Sequence, residues 1–280
     1  MLLFDCGEGT QRQMMRYGVG FGFTEIFFTH YHADHLLGVI GLFRTLGLLD
    51  RHEGITLYGP KPAHRILGQA LAVGVERNKF PFEIVELKAG DRLARKEYEI
   101  VAFPTEHRAE TLGYALVEKD RLGRFDPDAA RAAGVPEGPL WGRLQRGESV
   151  TLADGKVVGP EGIVGPPRPG RKVVYSGDTR PCQGVKTAAA GADLLIHEAT
   201  FGEEDRERAI ETGHSTAREA ALLARDAGVR RLVLTHISAR YNREAPELQA
   251  EAGAIFPSVS IARDGLTIEV PFPDRIPGQG

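Results

Sequence analysis

Four metal-ligand side chains stand within six residues in Thr29-His30-Tyr31-His32-Ala33-Asp34-His35, between an apolar strand-like run and an apolar helix-like one. The preceding Glu25-Ile26-Phe27-Phe28-Thr29 reads as a buried strand and residues 36–49 as an apolar helix. In an extended connection, side chains two residues apart point the same way, so His30 and His32 can reach one metal. The chain then turns, and Asp34 and His35 face a second metal beside the first. Neutral imidazoles and carboxylates suit zinc or a similar divalent ion.

Two metals need more ligands, and strand ends elsewhere offer them. His107 follows the strand-like Ile100 to Phe103, Asp178 sits in Ser176-Gly177-Asp178-Thr179 after another strand, and His236 ends Leu232 to Thr235. Singly, these are a surface histidine, a turn aspartate and a polar strand end. Together they occupy one edge of an α/β layered domain, where ligands should gather. The rest of the pattern agrees: strands at 54–58, 82–87, 98–103, 112–117, 172–176, 193–197 and 231–235 alternate with helical stretches at 64–77, 217–227 and 245–254. Residues 118–171 break it. They are rich in Gly and Pro, interleaved with Arg143, Arg146, Arg168 and Arg171, and read as an insertion, since the strand pattern resumes after them.

The ordered ligands resemble the metallo-β-lactamase superfamily, with its HxHxDH motif and later His, Asp and His. That resemblance implies an αββα sandwich and two metals, expected to be Zn2+ with Mn2+ or another divalent ion as an alternative. It places His30, His32 and His107 on one, Asp34, His35 and His236 on the other, and Asp178 as the bridge. It also implies attack by a metal-bound hydroxide. Three further stretches, Asp5-Cys6-Gly7-Glu8-Gly9-Thr10-Gln11, His197-Glu198-Ala199-Thr200 and His214-Ser215-Thr216, together with His236-Ile237-Ser238-Ala239-Arg240-Tyr241, are similar to ribonuclease Z, the family that cuts the 3′ trailer from precursor tRNA. The similarity extends over nearly the whole chain.

Chemistry supports this resemblance. Thr216 and Glu219 have capping-box spacing, so His214 should sit at a helix N-terminus, where free backbone N–H groups favour a phosphate. His214 there would protonate the departing 3′ oxygen, Glu198 would orient it, and Asp34 is the base the family implies. Ser215, Thr216 and Arg240 are expected phosphate contacts. The insertion resembles the family's flexible tRNA-binding arm, with Gly138 to Gly147 as its tip and Arg143 and Arg146 on the RNA backbone. A homodimer, in which one subunit's arm presents tRNA to the other, is implied as well. Relatives begin with an extra strand and a Gly-rich loop, so the reading expects one domain over 1–280, with the arm inserted, that lacks its first N-terminal strand or strands.

Composition narrows the setting. With 42% hydrophobic and 26% charged residues, the 280-residue chain is neither collagen-like, coiled coil nor disordered, and two cysteines exclude a disulfide scaffold. The start lacks a signal-peptide pattern, and the apolar stretch 36–49 holds Arg44 and three glycines, which points to a cytoplasmic protein without a membrane span. The net charge of −3 gives no hint of nucleic acid, but a total cannot see a local arginine cluster. Two other readings compete. One is a small-molecule phosphodiesterase or arylsulfatase-like hydrolase of the same superfamily; the other is a non-catalytic RNA-binding paralogue, which loss of ligands would favour and which this chain does not show.

Overall fold

Alternation along one short strand sets the layering. In the computed structural model, which describes residues 1–75, 77–241 and 244–272, Ile26 and Phe28 pack into one core while Phe27 between them packs into another. That is the two-residue period of a strand covered on both faces. The first sheet is parallel and runs β1 (Leu2–Phe4), β2 (Glu25–Phe27), β3 (Ile55–Gly59), β4 (Phe82–Glu86), with Leu3 opposite Ile26, Ile26 opposite Leu57 and Leu57 opposite Ile84. Its outer face is covered by α1 (Thr10–Arg16), α2 (Ala33–Leu36), α3 (Gly38–Leu48) and α4 (Ala63–Leu71), through Met14, Leu36, Leu42, Phe43, Leu46 and Leu67.

The second sheet contains β5 (Arg92–Ala94), β6 (Tyr98–Pro104), β7 (Leu112–Glu118), β10 (Lys172–Tyr175), β11 (Leu194–Glu198), β12 (Leu232–Thr235) and β13 (Val259–Ile261), in the spatial order β13-β12-β11-β10-β7-β6-β5. Strands β10 to β13 pair in parallel, and β7 joins β10 antiparallel. Its outer face carries α7 (Gln183–Ala189), α9 (Ala217–Asp226) and α10 (Pro246–Gly253); α8 (Arg206–Thr212) precedes α9. Alanines 217, 220, 221 and 224 are wholly buried, which lets α9 lie close on the sheet. Between the sheets Phe27 stacks on Phe4 and Tyr58 at 5.2 and 4.7 Å and meets the edge of Tyr114 at 5.3 Å. The result is the helix–sheet–sheet–helix order of the metallo-β-lactamase fold.

Two expectations about helices change. The apolar helix starts earlier than residue 36: its first turn is α2, which itself carries Asp34 and His35, and the chain steps at Leu37 before α3. Gly38 lies against the Cys6-Gly7 loop, its N–H on the Cys6 carbonyl at 2.9 Å, and a Cβ there would fall 1.8 Å from the Gly7 oxygen. The helix at 64–77 stops at Leu71, and the chain turns at Gly74 (φ 92°) with Val73 and Val75 exposed. Apolar spacing alone counts Val73 as part of a buried face with Ile66, Leu67, Ala70 and Leu71. Glu76 in that stretch, and positions 273–280 of the expected domain, lie outside the described residues.

Residues Glu118–Arg171, with 271–272, form a second compact unit. Where the sequence suggested only an irregular, glycine-rich insertion, α5 (Pro127–Ala132), α6 (Pro139–Gln145) and the hairpin β8 (Val150–Thr151)–β9 (Val157–Val158) enclose a small core of Ala130, Val135, Leu144, Val150, Val158 and Ile163. Pro127 and Pro139 each open a helix, Asp126 caps the first through the N–H groups of Asp128 and Ala129, and the Trp141 indole donates to the Val135 carbonyl. The expected tip, Gly138 to Gly147, is therefore largely the helix α6. No helix among the described residues is long and apolar enough to cross a membrane.

Candidate metal centre and acid–base pair

The ligand-type residues singled out in the sequence sit in the segments that follow strand ends. His30 and His32 follow β2, Asp34 and His35 lie in α2, and His107, Asp178 and His236 follow β6, β10 and β12. The ligand atoms of His30, His32, His107 and Asp178 lie within 4.8 Å of one another, as do those of Asp34, His35, Asp178 and His236, so Asp178 is common to both groups. His236 and Asp5 hold φ of 55° and 54°. Such left-handed backbone costs non-glycine residues roughly 1–3 kcal/mol and tends to mark functional sites.

The outer nitrogens of the histidines fix which inner nitrogens carry lone pairs. Thr29 Oγ1 donates to Asp5 Oδ2 at 2.9 Å and so accepts from His30 Nδ1 at 3.0 Å, leaving His30 Nε2 unprotonated. The Gly213 carbonyl, 2.8 Å away, takes the Nδ1 proton of His107. Both bare Nε2 atoms converge on His32 Nδ1, at 2.9 and 3.2 Å. On the other side, Asp5 Oδ2 accepts from His35 Nδ1 at 2.8 Å, and Thr200 Oγ1, itself bonded to Glu198, accepts from His236 Nδ1 at 2.8 Å. The inner nitrogens of those two rings face carboxylates: His35 Nε2 is 3.3 Å from Asp178 Oδ1, and His236 Nε2 is 3.1 Å from Asp34 Oδ2. Lone pairs and carboxylate oxygens aimed at shared points are what a cation satisfies.

Two buried atoms make the fit specific. His35 Nε2 and Asp178 Oδ1 face each other at 3.3 Å without a well-formed hydrogen bond between them or to any other group, although an unpaired buried polar atom costs roughly 1–3 kcal/mol. The electrostatics agree. Burial pushes the His30 imidazole down to about 3 and also lowers His107, which keeps both neutral and able to ligate. Burial would lower His35 too, but the carboxylates of Asp178 and Asp5 outweigh it and raise the ring to about 11. His236 is likewise raised: burial works against it, and Asp34 and Asp178 prevail. Asp34 is held below the usual carboxylate range, chiefly by its bond to His236, and so is Asp178, whose burial the surrounding histidines overcome. The residues present therefore fit a pair of divalent cations.

Beside the cluster lies the expected acid–base pair. His214 Nδ1 is 2.8 Å from Glu198 Oε1 and 4.0 Å from Asp178 Oδ2, and its ring stacks on that of His236 with centroids 5.2 Å apart. Glu198 is completely buried, and its oxygens also accept from Thr179 N at 3.0 Å and from Thr200 N and Oγ1 at 3.1 and 2.8 Å. With Nδ1–H on this carboxylate, Nε2 is the other nitrogen of the His214 ring, and this bond does not use it.

The phosphate site expected at the start of α9 is not there. Thr216 N donates to Glu219, Ala217 N to the Phe201 carbonyl, Arg218 N to Glu251 and Glu219 N to Thr216 Oγ1, so the helix's leading N–H groups are all taken by protein. Ser215 and Thr216 are wholly buried; the Ser215 hydroxyl donates to the Thr179 carbonyl and that of Thr216 serves the cap. Their hydroxyls are thus engaged within the loop and its cap. Arg240 is half exposed and pairs with Asp205 at 3.6 Å. In the second unit, exposed Arg143 and Arg146 both pair with Glu148, at 3.0 and 3.1 Å. Of the remaining histidines, His52 and His64 are exposed, and His197 is buried with Nδ1 on the Glu198 carbonyl. Sequence reasoning assigned no role to Asp5, Thr29 or Thr200, which orient the ligands. All three fall inside the stretches that carry the family resemblance, but local spacing gave no sign of which ring nitrogen each would meet.

Comparison with known proteins agrees with this architecture. The chain matches the beta-lactamase superfamily domain over residues 1–164 and 161–237. It is 58% identical to the ribonuclease Z of Myxococcus xanthus, over 98% of this chain and 90% of that protein. Its identity to the ribonuclease Z of Haloferax volcanii is 52%, over 98% and 87%. Among solved structures it resembles the short form of human tRNase Z, with a TM-score of 0.66 at 27% identity, over 97% of this chain and 88% of that one. With this ligand set, and with identity above one half along nearly its full length, the chain belongs to the ribonuclease Z family of the β-lactamase superfamily.

Proposed function

We propose that this protein is an endoribonuclease that removes the 3′ trailer from precursor tRNA, leaving a 3′-hydroxyl on the tRNA. The observation that carries the reading is the buried Glu198–His214 pair beside a ligand set for two cations, in a chain of this family. His30, His32, His107 and Asp178 would hold one ion and Asp34, His35, Asp178 and His236 the other. Two Zn2+ are the proposed occupants, with Mn2+ or another divalent ion as substitutes. When bound, the ions supply Lewis acidity to the phosphodiester oxygens and acidify water at the site.

The protein's own groups carry the protons. Asp34, 62% exposed and kept ionised beside His236, accepts the proton of the attacking water. His214 gives the proton on Nε2 to the 3′ oxygen as it departs, and Glu198 holds Nδ1–H throughout, so the ring keeps one orientation. The trailer leaves with a 5′-phosphate. Arg143 and Arg146 in the second unit, and Arg240 near the site, contact the RNA backbone, which sets position without reading sequence. The protein works in the cytoplasm as a homodimer.

Incubation of the metal-loaded protein with a precursor tRNA carrying a 3′ trailer should give a single cut next to the discriminator base. Asp34→Ala should abolish the cut and leave the fold intact, because Asp34 is largely exposed. Turnover of aryl phosphodiesters with no cut in any precursor tRNA would overturn the reading in favour of a small-molecule hydrolase.

A further inference from the structure

Loops from four parts of the chain meet at Asp178-Thr179-Arg180. Thr179 N donates to Glu198 Oε1 at 3.0 Å, the Thr179 carbonyl accepts from Ser215 Oγ at 2.6 Å, and Arg180 N donates to the Glu106 carbonyl at 2.7 Å, one residue before His107. The Arg180 side chain then reaches back over the loop that carries His214. Its Nη1 donates to the His214 carbonyl and to Glu219 Oε2 at 2.8 Å, while Nη2 donates to Glu219 Oε1 at 2.5 Å. Glu219 is also the acidic member of the α9 capping box, accepting from Thr216 N at 3.0 Å. A single guanidinium thus ties the backbone of His214 to the first turn of α9. The pair is mostly shielded, with Arg180 20% and Glu219 11% exposed.

This arrangement suits a task beyond holding a helix. The His214 ring is aimed by one bond, from Nδ1 to Glu198, and that bond survives only while the backbone of residue 214 stays in place. A guanidinium fork fixes two acceptors in one plane at once, which a lysine ammonium does not. We propose that Arg180 is a positioning residue for proton transfer. It holds the His214 peptide so that Nδ1–H remains on Glu198 and Nε2 faces the scissile phosphate. The proton passes from Nε2 to the departing 3′ oxygen, which keeps the bonding electron pair as the P–O bond breaks; Arg180 itself transfers nothing. The inference rests on the reading of His214 as the acid.

Two substrates separate this role from a structural one. Zinc-loaded wild type, Arg180→Lys, Arg180→Ala and His214→Ala are compared in single-turnover cleavage of one precursor tRNA. A second copy of that RNA carries sulfur in place of the bridging 3′ oxygen at the cut; a thiolate leaves without needing a proton. Arg180→Ala should lose about 10²-fold on the oxygen substrate, the scale expected for an ångström-level misplacement, and far less on the sulfur one, with Arg180→Lys between. Metal per chain should stay at the wild-type value. In the metal-free protein, the slowly exchanging His214 Nδ1–H resonance should be present in wild type and lost in Arg180→Lys. Equal losses on the two substrates, a fall in bound metal, or an unchanged Nδ1–H signal would each overturn the proposal. If His214→Ala itself loses equally on both substrates, the acid assignment fails; if His214→Ala discriminates and the Arg180 variants do not, the role of Arg180 alone fails. Should Arg180→Ala not fold, Arg180→Lys, which keeps the charge, decides.

Discussion

Asp5 Oδ2 lies 2.8 Å from His35 Nδ1 and, across one hydroxyl, also orients His30, because Thr29 Oγ1 bonds Asp5 at 2.9 Å and His30 Nδ1 at 3.0 Å. Tyr175 donates to the same oxygen at 2.8 Å, and Thr29 N to the other at 2.7 Å. One buried carboxylate therefore aims a ligand of each cation group. Replacing it should weaken metal binding at both sites, by roughly 10–100-fold, the range for groups that orient ligands. Titration of metal-free Asp5→Asn with Zn2+ against a competing chelator measures this. A loss confined to one of the two binding steps would contradict the shared role.

Metal uptake should release protons. His35, raised to about 11, is protonated at neutral pH in the metal-free protein and must give up its Nε2 proton to ligate, and His236 is raised in the same direction. Protons therefore compete with the metal, and affinity should rise with pH across the neutral range. Calorimetry in buffers of different ionisation enthalpy should report at least about one proton displaced when both ions bind at pH 7. A buffer-independent heat would argue against this picture.

Glu219 ties stability to acid pH. Burial raises its carboxyl, but the Arg180 fork and the Thr216 N–H outweigh that and hold it below the usual value. For a carboxyl depressed in the folded state, the stabilisation is present above the unfolded value near 4.3 and fades as pH falls through the folded one. Glu219→Gln should cost about 2 kcal/mol at pH 7, the range for hydrogen bonds to a charged group. The gap in melting temperature should close as the pH drops below the carboxylate range. A gap that stays constant down to pH 3 would mean the ionised carboxylate contributes nothing.

Arg143 and Arg146 should matter to RNA and not to small substrates. Both are exposed and share Glu148, and surface pairs of that kind contribute about 0–1 kcal/mol, so exchanging Glu148 for phosphate is inexpensive. Replacing both by alanine should leave aryl phosphodiester turnover unchanged, weaken tRNA cleavage, and reduce the slope of log KM against log salt by about one per arginine. An unaltered salt slope would remove these residues from the interface.

Local sequence carried the metal centre a long way. Four of the seven ligand-type residues stand within six positions, where side chains two apart in an extended segment share a direction, and the other three each follow a strand-like run. The strand pattern by itself gave an α/β layered domain, as in the continuous apolar run Ile26-Phe27-Phe28, which is buried on both faces, and the family resemblance implied the αββα sandwich.

Contacts between distant parts of the chain were decided only by tertiary structure. Asp5 meets His35 from 30 residues away, Gly213 meets His107 across 106, and Arg180 grips the His214 peptide across 34, and nothing in local spacing announces those bonds. The start of α9 shows the limit most clearly. Its capping box is legible in Thr216 and Glu219, yet whether its N–H groups stay open for a phosphate depends on Phe201 and Glu251, which only folding brings there. The second unit is similar, since Leu144, Val150 and Ile163 become a core only when short apolar pieces separated by Gly and Pro are packed together. Sequence alone determined which chemistry the chain carries, because ligand identity and strand alternation are local properties. Tertiary structure decided which atoms of those groups remain available, because each hydrogen bond that fixes them closes a long loop.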